Sequence, residues 1–346
     1  MVTRRTKWAG AATGLASLAG AVATWELTRR RDRRRLLDDP EHDILDAPLP
    51  GIGRTVVSAD GTRLAVWEAG PVDGPVVVFA HGWGMGVRFW IHQLRDLAVD
   101  HRVIAYDQRG HAASGRPTDG DYSADALADD LEAVLRTCVP AGRTALLVGH
   151  SMGAMSIVAW ANARDGRLED RAHAAILAQT GVDQLHSTFF AELGVAKLLA
   201  DTVGARAMTS RLPLPPGPNP VGYRVTAHFA HGQDAPPSAI ALTEQLFLDT
   251  PADVRSAIGV MMSSLDLTRG VTKLAIPTTV VMGTADRLTP PVHSRRLVAA
   301  LPNAQLVELE GAGHQAPLER HHEFTRLVRE RAVPPAEEAS PERASA

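Results

Sequence analysis

The sequence predicts an α/β fold: a mostly parallel eight-stranded sheet with helices on both faces and a helical cap inserted between strands 6 and 7. Three observations carry this expectation. Runs patterned as strands alternate with runs patterned as helices along most of the chain, the signature of parallel strands joined by crossover helices. Val76-Val77-Val78-Phe79 is apolar at every position, as a central strand buried on both faces must be. The alternation lapses once, between Asp183 and Gly270, where helical patterns recur without a clear strand around the proline-rich stretch from Leu212 to Pro220. That lapse reads as an inserted helical cap over 183–270, the alternative being an irregular surface excursion.

With 346 residues, 45% apolar and 22% charged, the chain can bury a large core and is not of disordered composition. A net charge of -3 shows no basic excess, so nucleic acid is not an expected partner. The single cysteine, Cys138, permits no intrachain disulfide and falls in a helical pattern, where it reads as a small buried hydrophobe.

Taken in order, Arg4, Arg5 and Lys7 precede an uncharged stretch from Trp8 to Trp25, which six arginines between Arg29 and Arg35 then follow. Eighteen charge-free residues with tryptophan at each end fit a membrane anchor. A cleaved signal, with Ala21-Val22-Ala23 as its processing site, and a surface-lying helix are the other readings. The greater positive charge after the span places the remainder of the chain on the cytoplasmic side if the stretch is an anchor. Residues 1–35 thus form a hydrophobic segment with basic flanks, and 36–53, acidic and proline-punctuated, read as a linker. Strands are expected at Arg54 to Ser58 and Arg63 to Ala69, a hairpin about Asp60-Gly61. Further strands fall at Pro75 to Ala80, Arg102 to Tyr106, Thr144 to Val148, Ala174 to Ala178, Thr278 to Met282 and Gln305 to Leu309. Helices fall at Phe89 to Val99, Ser123 to Cys138, Ala154 to Ala163, Pro291 to Leu301 and Leu318 to Arg331. Within the cap they fall at Phe189 to Ala200, Ser238 to Leu248 and Ala252 to Leu265. The sheet domain spans 54–182 and 271–333, and 334–346 reads as a disordered tail.

The chemistry concentrates at Gly149-His150-Ser151-Met152-Gly153, between an apolar strand and an alanine-rich helix. A strand, a sharp turn and a helix with serine at the apex form a nucleophile elbow, in which glycines permit strained angles and close approach of helix to strand. A serine hydroxyl needs a base and an orienting carboxylate. His314, in Glu310-Gly-Ala-Gly-His314, follows the last strand; Asp286, in Gly283-Thr-Ala-Asp286, follows the strand before it. The order Ser151, Asp286, His314 is the one the elbow requires. His111 and His81 rival His314 as the base, and Asp183, which follows the strand ending at Ala178, rivals Asp286 as the acid. Backbone N–H groups should meet the developing oxyanion, one from Met152 after the nucleophile and one from Trp83 in His81-Gly82-Trp83-Gly84.

With these motifs and Asp107-Gln-Arg109-Gly110, the chain between Arg54 and Val333 resembles the α/β-hydrolase superfamily, particularly its capped esterase-like members. In such relatives the Asp-x-Arg-Gly segment is structural, and a glycine is common where Ala112 stands here. The resemblance implies that the cap sets substrate selectivity and that no cofactor is required. Aspartate replaces the elbow serine in the epoxide hydrolases and haloalkane dehalogenases, and the loops typical of carbon–carbon bond hydrolases and peptidase relatives are absent. The expectation is therefore a serine hydrolase for a small apolar carboxylic ester or thioester. A haloperoxidase-like or carbon–carbon bond hydrolase with the same triad, and a non-catalytic binding protein on this fold, are the alternatives. Phe189, Phe190, Phe229, Phe247, Met261 and Met262 are expected to line an apolar acyl site.

Overall fold

The computed structural model describes residues 24–164, 168–183, 185, 209–211, 214–215 and 217–334. Eight strands form one sheet: β1 Ile52–Val57, β2 Arg63–Ala69, β3 Val76–Ala80, β4 Arg102–Tyr106, β5 Ala145–His150, β6 Ala172–Ala178, β7 Thr278–Gly283 and β8 Ala304–Leu309. Their order is β1-β2-β4-β3-β5-β6-β7-β8. β2 runs antiparallel to both β1 and β4, and every other pairing is parallel. The central strands β3 and β5 are buried throughout. The two-residue side-chain period divides β3, so that Val76, Val78 and Ala80 join one core while Val77 and Phe79 join the core on the opposite face.

Helices cover both faces. Upstream of the sheet lie α1, over residues 24–37, and α2 His42–Asp46. A 3₁₀ turn, Val87–Trp90, leads into α3 Ile91–Leu97. In α4 Ala124–Cys138 the apolar positions 127, 131, 134, 135 and 138 recur at helical spacing and are buried, and Ser123 caps the first turn by accepting the Ala126 N–H at 3.2 Å. Cys138 lies buried on that face, as its pattern implied. α5 Met152–Ala163 is buried on every side from Met152 to Ala161, which is why its composition carries no polar stripe.

The excursion from the sheet leaves after Val182 and returns at Leu267, whose N–H donates to the Val182 carbonyl at 3.0 Å. Its described helices are α6 Pro220–Ala230, α7 Pro237–Asp249 and α8 Ala252–Ser263; α9 Thr268–Lys273 then brings the chain back to the sheet. The expected helix at Phe189 to Ala200 lies outside the described residues. α6 has no counterpart in the sequence reading, because Pro220 ends a proline-rich stretch that suggests loop. Proline at the first helical position instead starts the helix, and the Asn219 side chain accepts the Val221 and Gly222 N–H groups. After β7 come α10 Pro291–Ala300, α11 Ala316–Glu319 and α12 His321–Arg331, the last two dividing at Arg320 what the pattern suggested was one helix.

The stretch expected to be a linker is docked. α2 buries Leu45, Arg88 Nη1 donates to the carbonyls of Leu45 (2.7 Å) and Ala47 (3.0 Å), and Asp39 accepts the Ser238 N–H of the cap at 2.8 Å. Asp32 of α1 also pairs with Arg224 of α6 at 2.9 Å. A short acidic, proline-marked segment can thus be held by partners distant in sequence, which local composition does not reveal. Of the expected span only Thr24 and Trp25 are described, and among the described residues no helix is long and apolar enough to cross a membrane. Residues 335–346 also lie outside the described residues.

Candidate active site

β5 ends at His150 and α5 begins at Met152, so the chain reverses direction at Ser151. That residue holds φ 51° and ψ -116°, a strained combination that lifts its hydroxyl above the sheet edge. A Cβ at Gly149 would lie 2.5 Å from the Ala154 nitrogen, and one at Gly153 would fall on the Ala80 carbonyl of β3. Both glycines are therefore required by close packing of α5 on the strands.

Beyond β7, the loop folds so that Asp286 Oδ1 accepts the N–H groups of Leu288 (2.8 Å) and Thr289 (2.9 Å). Its Oδ2 accepts the Thr289 hydroxyl at 2.8 Å and lies 2.9 Å from His314 Nδ1. The carboxylate is buried and fully partnered, and it orients the imidazole through Nδ1, leaving Nε2 on the opposite edge of a ring that lines the same cavity as Ser151. Ser151 Oγ has no hydrogen-bond partner among the described residues, an arrangement common where catalytic contacts tighten only around substrate. Asp183, the rival acid, instead faces His293 electrostatically.

The rival bases serve the loop after β3. Both His81 and His111 are completely buried, and burial pulls their pKa down, to about 3 and about 4, so both are neutral. His81 Nδ1–H donates to the Gly82 carbonyl at 2.8 Å while Nε2 accepts the Gln108 N–H. His111 Nε2 accepts the Gly84 N–H at 3.1 Å. Pinning Gly84 in this way leaves the Trp83 N–H uncommitted, and the Met152 N–H at the start of α5 is uncommitted too among the described residues. These are the two amides expected to meet an oxyanion. Gly84 holds φ 71°, and a Cβ there would collide with Phe247 of the cap.

Neighbouring groups keep this frame rigid. His150 Nε2–H donates to the His314 carbonyl at 2.8 Å, tying the elbow to the His314 loop. Glu319 accepts the N–H groups of Gly313 (2.9 Å) and Gln315 (3.1 Å), the residues on either side of His314, and that of Gly232 in the cap (2.8 Å). Burial raises the Glu319 pKa against the opposing pull of those amides. Asp107 accepts the Val87 and Ala113 N–H groups, and Arg109 forks onto Asp130 with two 2.7 Å bonds, so the Asp-x-Arg-Gly segment is structural as the resemblance implied. Ala112 adopts φ 42°, so the turn keeps the left-handed geometry that glycine takes more easily. Thr289 and Glu319 were missed from the sequence; a threonine three residues after a loop aspartate was the one available local signal.

A cavity of about 460 Å³ opens over Ser151 and His314 between sheet domain and cap. Phe229, Phe247 and Met262 line it as expected; Met261 does not, and Phe189 and Phe190 lie outside the described residues. Met85, Met155, Leu185, Val225 and Leu288 extend the apolar wall.

The profile of the alpha/beta hydrolase family matches residues 77–327, and the chain belongs to that family. It is 27% identical over 272 residues to a non-heme chloroperoxidase of Streptomyces lividans, an alignment covering 75% of this chain and 92% of that protein. Among solved structures it resembles a thermophilic esterase from Thermogutta terrifontis, with TM-score 0.66 and 24% identity over 81% of this chain and 97% of the other. A bromoperoxidase from Bacillus anthracis gives TM-score 0.65 and 20% identity over 80% and 98%. At such identities the structural likenesses establish the fold.

Proposed function

We propose that the protein is a serine hydrolase that cleaves a carboxylic ester or thioester of an apolar acyl group through an acyl-enzyme on Ser151. The observation that carries this reading is a strained elbow serine sharing an apolar cavity with a histidine whose other nitrogen is held by a buried aspartate. Ser151 Oγ attacks the carbonyl carbon as His314 Nε2 takes its proton, and Asp286 stabilises the imidazolium. The Trp83 and Met152 amides meet the oxyanion. His314 returns the proton to the departing alcohol or thiol; water then attacks the acyl-enzyme by the reverse route, and the carboxylic acid leaves. Relatives named as chloroperoxidase and bromoperoxidase favour a second reading, in which hydrogen peroxide replaces that water and a peracid leaves.

A fluorophosphonate probe should label the wild type and fail to label Ser151→Ala, whose kcat should fall by about 10⁶. Undiminished labelling of the variant would overturn the assignment. Peroxide-dependent bromination by the wild type would distinguish the second reading.

A further inference from the structure

Where α2, α3 and α12 meet, three side chains from widely separated parts of the sequence converge. Glu41 stands at the start of α2, His92 in α3 and His321 at the start of α12. Glu41 Oε2 lies 3.5 Å from His92 Nε2, and Oε1 lies 3.4 Å from His321 Nε2. The two imidazoles stack, with centroids 3.9 Å apart and planes 12° from parallel, so both Nε2 atoms approach one carboxylate. One ligand atom from each residue falls within 4.8 Å of the others.

No short hydrogen bond accounts for this convergence. The separations are long for N–H···O bonds, and Glu41 Oε2 is buried without a hydrogen-bond partner. Two imidazole nitrogens and one under-partnered carboxylate oxygen, brought together from three separate helices, are a donor set suited to zinc.

We propose that Glu41, His92 and His321 bind a zinc-type divalent cation that fastens the N-terminal segment to α3 and α12. Zinc–nitrogen bonds of about 2.0–2.1 Å require the two stacked imidazoles to rotate until their in-plane Nε2 lone pairs converge on one centre beside the carboxylate. The segment so fastened also holds the cap, through Asp39 and Ser238, so the ion would secure the cap's attachment as well as the segment's. Its role is structural, and none of its ligands lines the cavity over Ser151. Asp96 and His322 form a rival outer set with His321, more exposed and lacking a ligand from the N-terminal segment.

Full-length protein stripped with a chelator should take up one equivalent of Zn²⁺ and melt at a higher temperature with it than without. Co²⁺ in its place should give the visible bands of a low-coordinate nitrogen and oxygen site, a readout that needs no variant. Glu41→Gln, His92→Gln and His321→Gln should each weaken Zn²⁺ binding by at least about tenfold, since even second-sphere changes cost metal sites about 10–100-fold. The same variants should lose the rise in melting temperature, whereas Asp96→Asn and His322→Gln should keep it. The proposal is overturned if the wild type takes up no Zn²⁺ or gives no Co²⁺ bands. Undiminished binding by all three ligand variants, or loss confined to Asp96→Asn and His322→Gln, also overturns it.

Discussion

The cavity has two walls built on different physical terms. On the sheet side, the acid and imidazole are held by directed bonds: four donors on Asp286, two amides flanking His314 and one from Gly232 on Glu319, and neutral histidines splinting the loop at Trp83. On the cap side, Val225, Phe229, Phe247 and Met262 present apolar surface with shape but little direction. Directed bonds define positions to fractions of an ångström, as proton transfer requires, whereas apolar contact scales with area and tolerates substitution. Changes on the first wall should therefore alter kcat steeply, and changes on the second should alter which substrate is preferred.

The largest effect separates the two candidate acids. Asp286→Asn keeps the shape but disturbs the His314 tautomer, so kcat should fall by about 10⁴, while Asp183→Asn should leave it nearly unchanged. Steady-state kinetics on one ester decide this, and the reverse result would move the acid to Asp183. Next is Thr289→Val, which removes the hydroxyl that donates to Asp286 Oδ2. One charge-assisted hydrogen bond is worth about 1.5–3 kcal/mol, so a loss on the order of tenfold or more in kcat with KM little changed is expected. A change confined to KM would instead place Thr289 on the substrate-binding side of the comparison. The smallest effect belongs to the cap. Across p-nitrophenyl esters of increasing acyl length, kcat/KM of the wild type should rise about fourfold per CH₂, the equivalent of about 0.8 kcal/mol, until the cavity is full. Phe229→Ala should shift that optimum to longer chains. A steady decline from acetyl upward in the wild type would mean that the apolar wall does not bind the acyl group.

What could be read from the residues alone follows the same division between local and distant. Ser151, Asp286 and His314 each stand in a short pattern at the end of a strand, so their places are legible without knowledge of packing. Strand periodicity likewise marked all eight strands within a few residues. Glu319 acts through backbone amides of its own loop and of Gly232, and its sequence surroundings look like an ordinary charged helix end. Glu41, His92 and His321 meet only because α2 folds back over α3 and α12, a contact no local pattern encodes. α6 was hidden for another reason: proline serves both to end loops and to begin helices, and only the Asn219 cap distinguishes the two uses here.

The backbone at Ser151 sets protein longevity against chemistry at a single residue. Glycine occupies φ 51°, ψ -116° without the steric conflict that a β-carbon creates, so the conformation that exposes the hydroxyl is one the fold would hold more comfortably with no side chain at all. Selection for heat resistance alone would favour replacing Ser151, which under the proposed function would silence the protein in the same step. Ala112, also left-handed at φ 42° but outside the proposed triad, offers that relief without the loss.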